Sequence, residues 1–200
     1  MTYLLTLRMA TVAYVPIIGQ VRSVTESRAI LEVEEGVATH KTCAVHVDAE
    51  MGKTRLSEGF LGALPELQYP FEPEGKSLEL DMGEVAVGYD PELGFPNHLG
   101  HPGVLDSDQD EAPGVSIILE IPLLGQVTLL VAQRTRSTLR GVEVEPGVWR
   151  GQTSFADFEQ VLLGSDHKLL SEPPPLTPTL GDFILRELPG PLSCDELLAR

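Results

Sequence analysis

The sequence predicts an all-β protein: an antiparallel β-barrel or β-sandwich built from two pseudo-equivalent halves, with little helix. Three observations carry this. Short runs alternate apolar and polar residues with period two, turn residues punctuate them, and the order of segments in the N-terminal half recurs in the C-terminal half. The chain then reads as one all-β domain over 1–200, with half one at about 1–100, an acidic linker at 104–114 and half two at about 115–200.

The opening segment, Tyr3 to Ile18, is apolar enough to suggest a secretory leader. It lacks a basic start and carries Arg8 in its middle, so it reads as a strand. It runs into Val15-Pro16-Ile17-Ile18-Gly19-Gln20-Val21, where Pro presets φ and the Gly permits φ > 0, and a second strand departs. Alternation follows in Ile30-Glu32-Glu34 against Leu31-Val33, and in Cys43-Val45-Val47-Ala49 against Ala44-His46-Asp48. A turn of helix fits Glu58 to Leu64, and Leu78-Leu80-Met82 reads as one face of a further strand.

The second half repeats the series. Ile121-Pro122-Leu123-Leu124-Gly125-Gln126-Val127 matches the first turn, Arg134 matches Arg28, and Val142-Glu143-Val144-Glu145-Pro146-Gly147-Val148 matches Leu31 to Val37. Thr153, Gly164 and Leu170-Ser171-Glu172 then match Thr42, Gly52 and Leu56-Ser57-Glu58, the offset growing only from 106 to 114. The repeat also decides Ser154 to Leu163. Its spacing suits an amphipathic helix, but its counterpart from Cys43 to Met51 alternates, so both are strands. Pro173-Pro174-Pro175 and Pro178 form an extended connector. Ser193 and Glu196 make a capping box before Leu197-Leu198, the best helix signal in the chain.

Composition removes several functions. With 14 Lys+Arg against 30 Asp+Glu in 200 residues, the net charge is −16, which disfavours nucleic acid and an anionic membrane surface. No apolar run reaches the roughly 18 residues a spanning helix needs. Cys43 and Cys194 are too few for a disulfide framework and form no metal-binding cluster, so a cytoplasmic location is expected.

Catalytic signatures are missing. Gly52-Lys53-Thr54 ends like a phosphate loop, but Val47 stands where the first Gly is required, and there is no GxSxG, HExxH or GxGxxG. Between Ser77 and Gln133 acids occur without one Lys or Arg. There, Asp106, Asp108 and Asp110 have the spacing of the first calcium-loop ligands, but Glu111 replaces the sharp-turn Gly and Ile117 the bidentate Glu. A solvated acidic linker is the expectation, with no metal assigned. His98 and His101, in a Gly/Pro loop after Asp90 and Glu92, are candidates for acid/base work. His40, His46 and His167 read as surface or strand-face residues.

Glu120 interrupts the apolar run Val115 to Pro122. If it points inward it needs a partner, with Arg134, Arg136 and Tyr14 the candidates, and apolar walls would raise its pKa. Pointing outward, it protects a sheet edge. Tyr89 joins Glu120, His98 and His101 as a candidate catalytic group, while Tyr14, Arg134, Trp149, Phe155 and Phe158 are candidates to line a ligand pocket.

The resulting expectation is a cytoplasmic β-barrel that takes an apolar or amphipathic small molecule and needs no cofactor. Any chemistry would be cyclisation or isomerisation of a biosynthetic intermediate by conformer selection in an enclosed pocket. The alternative is a non-catalytic structural or interaction β-sandwich. Neither nucleic acid nor membrane is an expected partner; a homodimer is left open.

Overall fold

The computed structural model describes residues 1–15, 19–50, 52–122, 124–170, 176–179 and 181–199. The expectations for Pro16–Ile18, Met51, Leu123 and Ser171–Pro175 lie outside the described residues.

Alternation with turns at every reversal gives antiparallel strands, and eleven of them form a single sheet among the described residues. The first three make a meander: β1 (Thr2–Val15), β2 (Gly19–Glu34) and β3 (Val37–Ala49). Short β4 (Lys53–Leu56) follows, then the single helical turn α1 (Phe60–Ala63), β5 (Leu67–Pro70) and β6 (Ser77–Val87). A second meander comprises β7 (Val115–Ile121), β8 (Gly125–Glu145) and β9 (Val148–Ser165). The chain ends with β10 (Thr177–Pro178), β11 (Gly181–Glu187) and α2 (Cys194–Leu198). Ser154 to Leu163 is strand, as expected. Ser193 and Glu196 close the capping box reciprocally.

The sheet runs β4-β7-β8-β9-β11-β1-β2-β3-β5 and curls strongly into a half-barrel, with β10 on β1 and β6 on β8. The two expected halves share this one sheet. β11, from the C-terminal half, lies between β9 and β1, while β4 and β6, from the N-terminal half, pair with β7 and β8. Strand β8, at 21 residues, makes the curl possible. Its first part pairs with β7 and its second with β6 along the same edge, and β9 follows the other edge from Leu129 to Glu145. Bulges relieve the strain, since an extra residue in one strand increases the local twist. One lies on β6 between Asp81 and Glu84, where Gly83 has φ 73°; another lies on β9, where Asp157 has φ 52°.

The odd-numbered residues of β8 face the concave side. Val127, Leu129, Val131 and Leu139 are buried there; Arg136 and Arg140, on the even face, are exposed. The same parity puts Val142 and Val144 on the convex face, half exposed at 52% and 50%.

The concave side is filled at one end by Tyr3, Leu5, Leu31, Leu80, Leu139, Trp149, Phe183 and Leu185. There the Tyr3 ring packs between Phe71 at 5.1 Å and the edge of Trp149 at 5.8 Å. At the other end Val87, Val115, Val127, Leu129 and Val131 cluster under Phe60 and Leu64 of the α1 segment. Burial of this kind is worth roughly 1.5–3 kcal/mol for each large apolar side chain, and it holds the curl. The C-terminal segment covers part of the convex face, with Leu192 and Leu197 against Ile30 and Leu4.

The cysteines are paired. A register shift between Arg28 and Ala29 leaves Cys43 as an extra residue in β3, and it forms a disulfide with Cys194 of α2, Cα–Cα 5.1 Å. Two cysteines 151 residues apart gave no local signal for this bond.

Candidate functional site

A concavity lies where consecutive strands fail to pair. β3 leaves β5 after His40, β4 pairs only with β7, and among the described residues no ladder joins β3 to β4. A normal hairpin would close here. Instead the strands splay after Gly52, whose φ is 79° and whose Cα lies so close to the Glu120 carbonyl that a Cβ would collide with it. A half-open cleft of about 570 Å³ results. Its walls are Val45, Val47 and Ala49 from β3, Thr54 and Leu56 from β4, and Phe60 and Leu61 from α1. Charged and polar groups rim it: His46, Asp48, Lys53, Arg55 and Glu58. A shallower depression beyond Lys53 is lined by Glu120, Ile121, Pro122 and Gln126.

Most of the residues singled out in the sequence do not converge on this cleft. Glu120 points outward. Its carboxylate pairs with Arg55 at 2.6 Å, half in solvent, so the partner is none of the three expected. Nor does it guard a sheet edge, because Glu120 is paired with Lys53 of β4 on one side and with Gln126 of β8 on the other. Tyr89 is buried on the convex face, edge-on to Phe95 at 5.3 Å, and burial pushes its phenol up from the ordinary value. The Arg134 guanidinium lies 5.3 Å above the same Phe95 ring and pairs with Glu159 at 2.9 Å. Tyr89 and Arg134 are thus brought together by Phe95, away from the concave side.

His98 and His101 meet edge to face at 6.3 Å in the loop that follows. His98 bonds the Asn97 side chain at 2.5 Å, and the His101 ring nitrogen Nδ1 accepts from the Gly103 N–H at 3.1 Å. Of the two acids just before them, Asp90 is used locally, its carboxylate capping the 3-10 turn Pro91–Leu93 by accepting from the Glu92 N–H at 2.9 Å. Tyr14 is 69% exposed at the end of β1. Trp149 is core, Phe155 is half-buried opposite Ser137, and Phe158 is half-buried beside the β9 bulge.

No protein-family model, curated protein or solved structure matches this chain.

Two features went unread in the sequence. His40, expected as a surface or strand-face residue standing alone, is buried at 6% exposure with Nδ1 3.0 Å from the Tyr69 hydroxyl and Nε2 3.4 Å from Thr42. Burial lowers the imidazole pKa to about 4 and raises the Tyr69 phenol, so both are neutral near pH 7. The second is Asp108. Expected in a solvated linker, it is 3% exposed, and its Oδ2 accepts from the Ser57 hydroxyl and from the Ser116 N–H at 2.8 Å. The loop is thereby tied to the end of β4 and the start of β7.

Proposed function

We propose that this protein binds an amphipathic small molecule in the cleft between β3 and β4. The observation that carries the reading is the splay itself. Two consecutive strands forgo the ladder that would join them and leave an apolar-walled, charge-rimmed cleft of about 570 Å³, within the size of ordinary ligand sites, roughly 300–1,000 Å³. Val45, Val47, Leu56 and Phe60 would take an apolar body; Lys53, Arg55, Asp48 and Glu58 would orient a polar end. At the packed end of the half-barrel large side chains fill the concave side.

The reading is of a binder. Cyclisation or isomerisation would need a proton-transferring group on the cleft wall, where His46, Asp48 and Glu58 stand. Glu120, Tyr89, His98 and His101 line no part of it. The location belongs to the same proposal. A Cys43–Cys194 bond persists where the surroundings are oxidising, which favours a compartment outside the reducing cytoplasm. Among the described residues no helix is long and apolar enough to cross a membrane.

The test is a titration with a fluorescent amphiphile, 1-anilinonaphthalene-8-sulfonate, on the folded protein. Saturable binding at one site is expected, at least tenfold weaker in Val47→Asp and in Leu61→Asp, and unchanged in the double variant His98→Ala, His101→Ala. Leu61 is 40% exposed, so its substitution leaves the core intact. Absence of saturable binding, or binding indifferent to both cleft variants, would sink the reading.

A further inference from the structure

We propose that the loop from Asp106 to Asp110 is a binding site for one calcium ion. Asp106, Asp108 and Asp110 each present a carboxylate oxygen, and the three atoms lie within 4.8 Å of one another. An oxygen shell at about 2.3–2.6 Å from a calcium ion places ligand oxygens at most about 5 Å apart, so one ion can reach all three. Magnesium, which sheds its waters reluctantly and is usually held by one or two carboxylates, suits a three-carboxylate site less well.

The acids alone would be an ordinary charged loop. What distinguishes them is the burial of Asp108. At 3% exposure it keeps one oxygen, Oδ1, with no hydrogen-bond partner, while Oδ2 holds Ser57 and the Ser116 N–H. A buried carboxylate with an unmatched oxygen is costly, by at least about 1–3 kcal/mol, and a cation is the partner that answers both its charge and its free lone pairs. No arginine or lysine can do so locally. None occurs between Ser77 and Gln133, and among the described residues none of the three aspartates has an ion pair.

The neighbouring carboxylates are already shaped for the role. Asp106 accepts from the Asp110 and Glu111 N–H groups at 3.1 and 3.0 Å, and Asp110 from the Ala112 N–H at 2.9 Å. Each oxygen still has a lone pair for a metal. Backbone carbonyls or water complete the shell. With three carboxylates and no bidentate Glu, affinity falls in the weak range of extracellular modules, a Kd on the order of 10⁻⁴–10⁻³ M. The ion has a structural consequence as well. It fixes the loop that grips Ser57, and Ser57 lines the β3–β4 cleft.

The experiment is isothermal titration of the chelator-treated protein with calcium chloride, and separately with magnesium chloride, at physiological ionic strength. One calcium per chain is expected, with a rise in melting temperature as the ion saturates the native state. Asp106→Asn and Asp110→Asn, both at exposed positions, are expected to weaken binding at least tenfold while the apo proteins keep the wild-type melting temperature. Glu72→Gln, an equal change of net charge elsewhere, is expected to change nothing. Three results would overturn the proposal: no calcium heat up to about 10⁻² M; magnesium binding as tight as calcium; or equal loss in Glu72→Gln, which would mean diffuse attraction to an acidic surface.

Discussion

His40 shows how one buried side chain sets a property of the whole protein. In the folded state it is neutral beside Tyr69, its pKa lowered to about 4 from an ordinary 6.5 by burial. In the unfolded chain it takes up a proton below about pH 6.5, and the native state does not until about pH 4. The unfolded state therefore binds more protons across that window, and stability falls as pH is lowered through it. The loss attributable to His40 is on the order of 3 kcal/mol. Urea denaturation between pH 7 and pH 4 is expected to show a steeper decline for wild type than for His40→Gln. Parallel curves for the two proteins would end this account. The sequence showed a lone histidine in an alternating run, but not that β5 would bring Tyr69 against it.

At the scale of elements, α2 is the informative case. Its capping box was legible because capping is local, a matter of residues three apart. Its position was not. A helix of five residues is marginal by itself, and this one is held by Leu192 and Leu197 on Ile30 and by the bond from Cys194 to the bulged Cys43. Thiol titration of protein purified without reductant is expected to find no free thiol until it is unfolded and reduced. Cys43→Ser with Cys194→Ser is expected to lower the unfolding free energy by about 2–5 kcal/mol, measured by urea denaturation. Free thiols in the native protein, or an unchanged midpoint, would remove both the bond and the case for an oxidising compartment. Bulges belong to the same lesson. Strict alternation placed Cys43 with Val45 and Val47, and the extra residue in β3 set it apart.

The whole molecule is one sheet in which the two expected halves interleave, so they are not expected to melt separately. Trp149 packs against Tyr3 from the opposite end of the chain, and β11 is shared between β9 and β1. Thermal unfolding followed by Trp149 fluorescence and by far-ultraviolet circular dichroism is expected to give one coincident transition. Two resolved transitions would show that each half holds its own core.

Period-two alternation and turn chemistry determined the all-β class, and residues three apart determined the C-terminal cap, because each is governed by neighbours along the chain. The strand from Ser154 to Leu163 followed instead from its likeness to the segment Cys43 to Met51, since its own spacing suits a helix. The acidic tract without Lys or Arg was equally plain. Only the tertiary structure decided that β3 and β4 splay into a cleft, that Glu120 faces Arg55, and that Asp108 and His40 are buried. The physical reason is one of range. Curl, closure and burial depend on which distant strands share an edge, and a residue's face is known only once bulges and ladders have fixed the register.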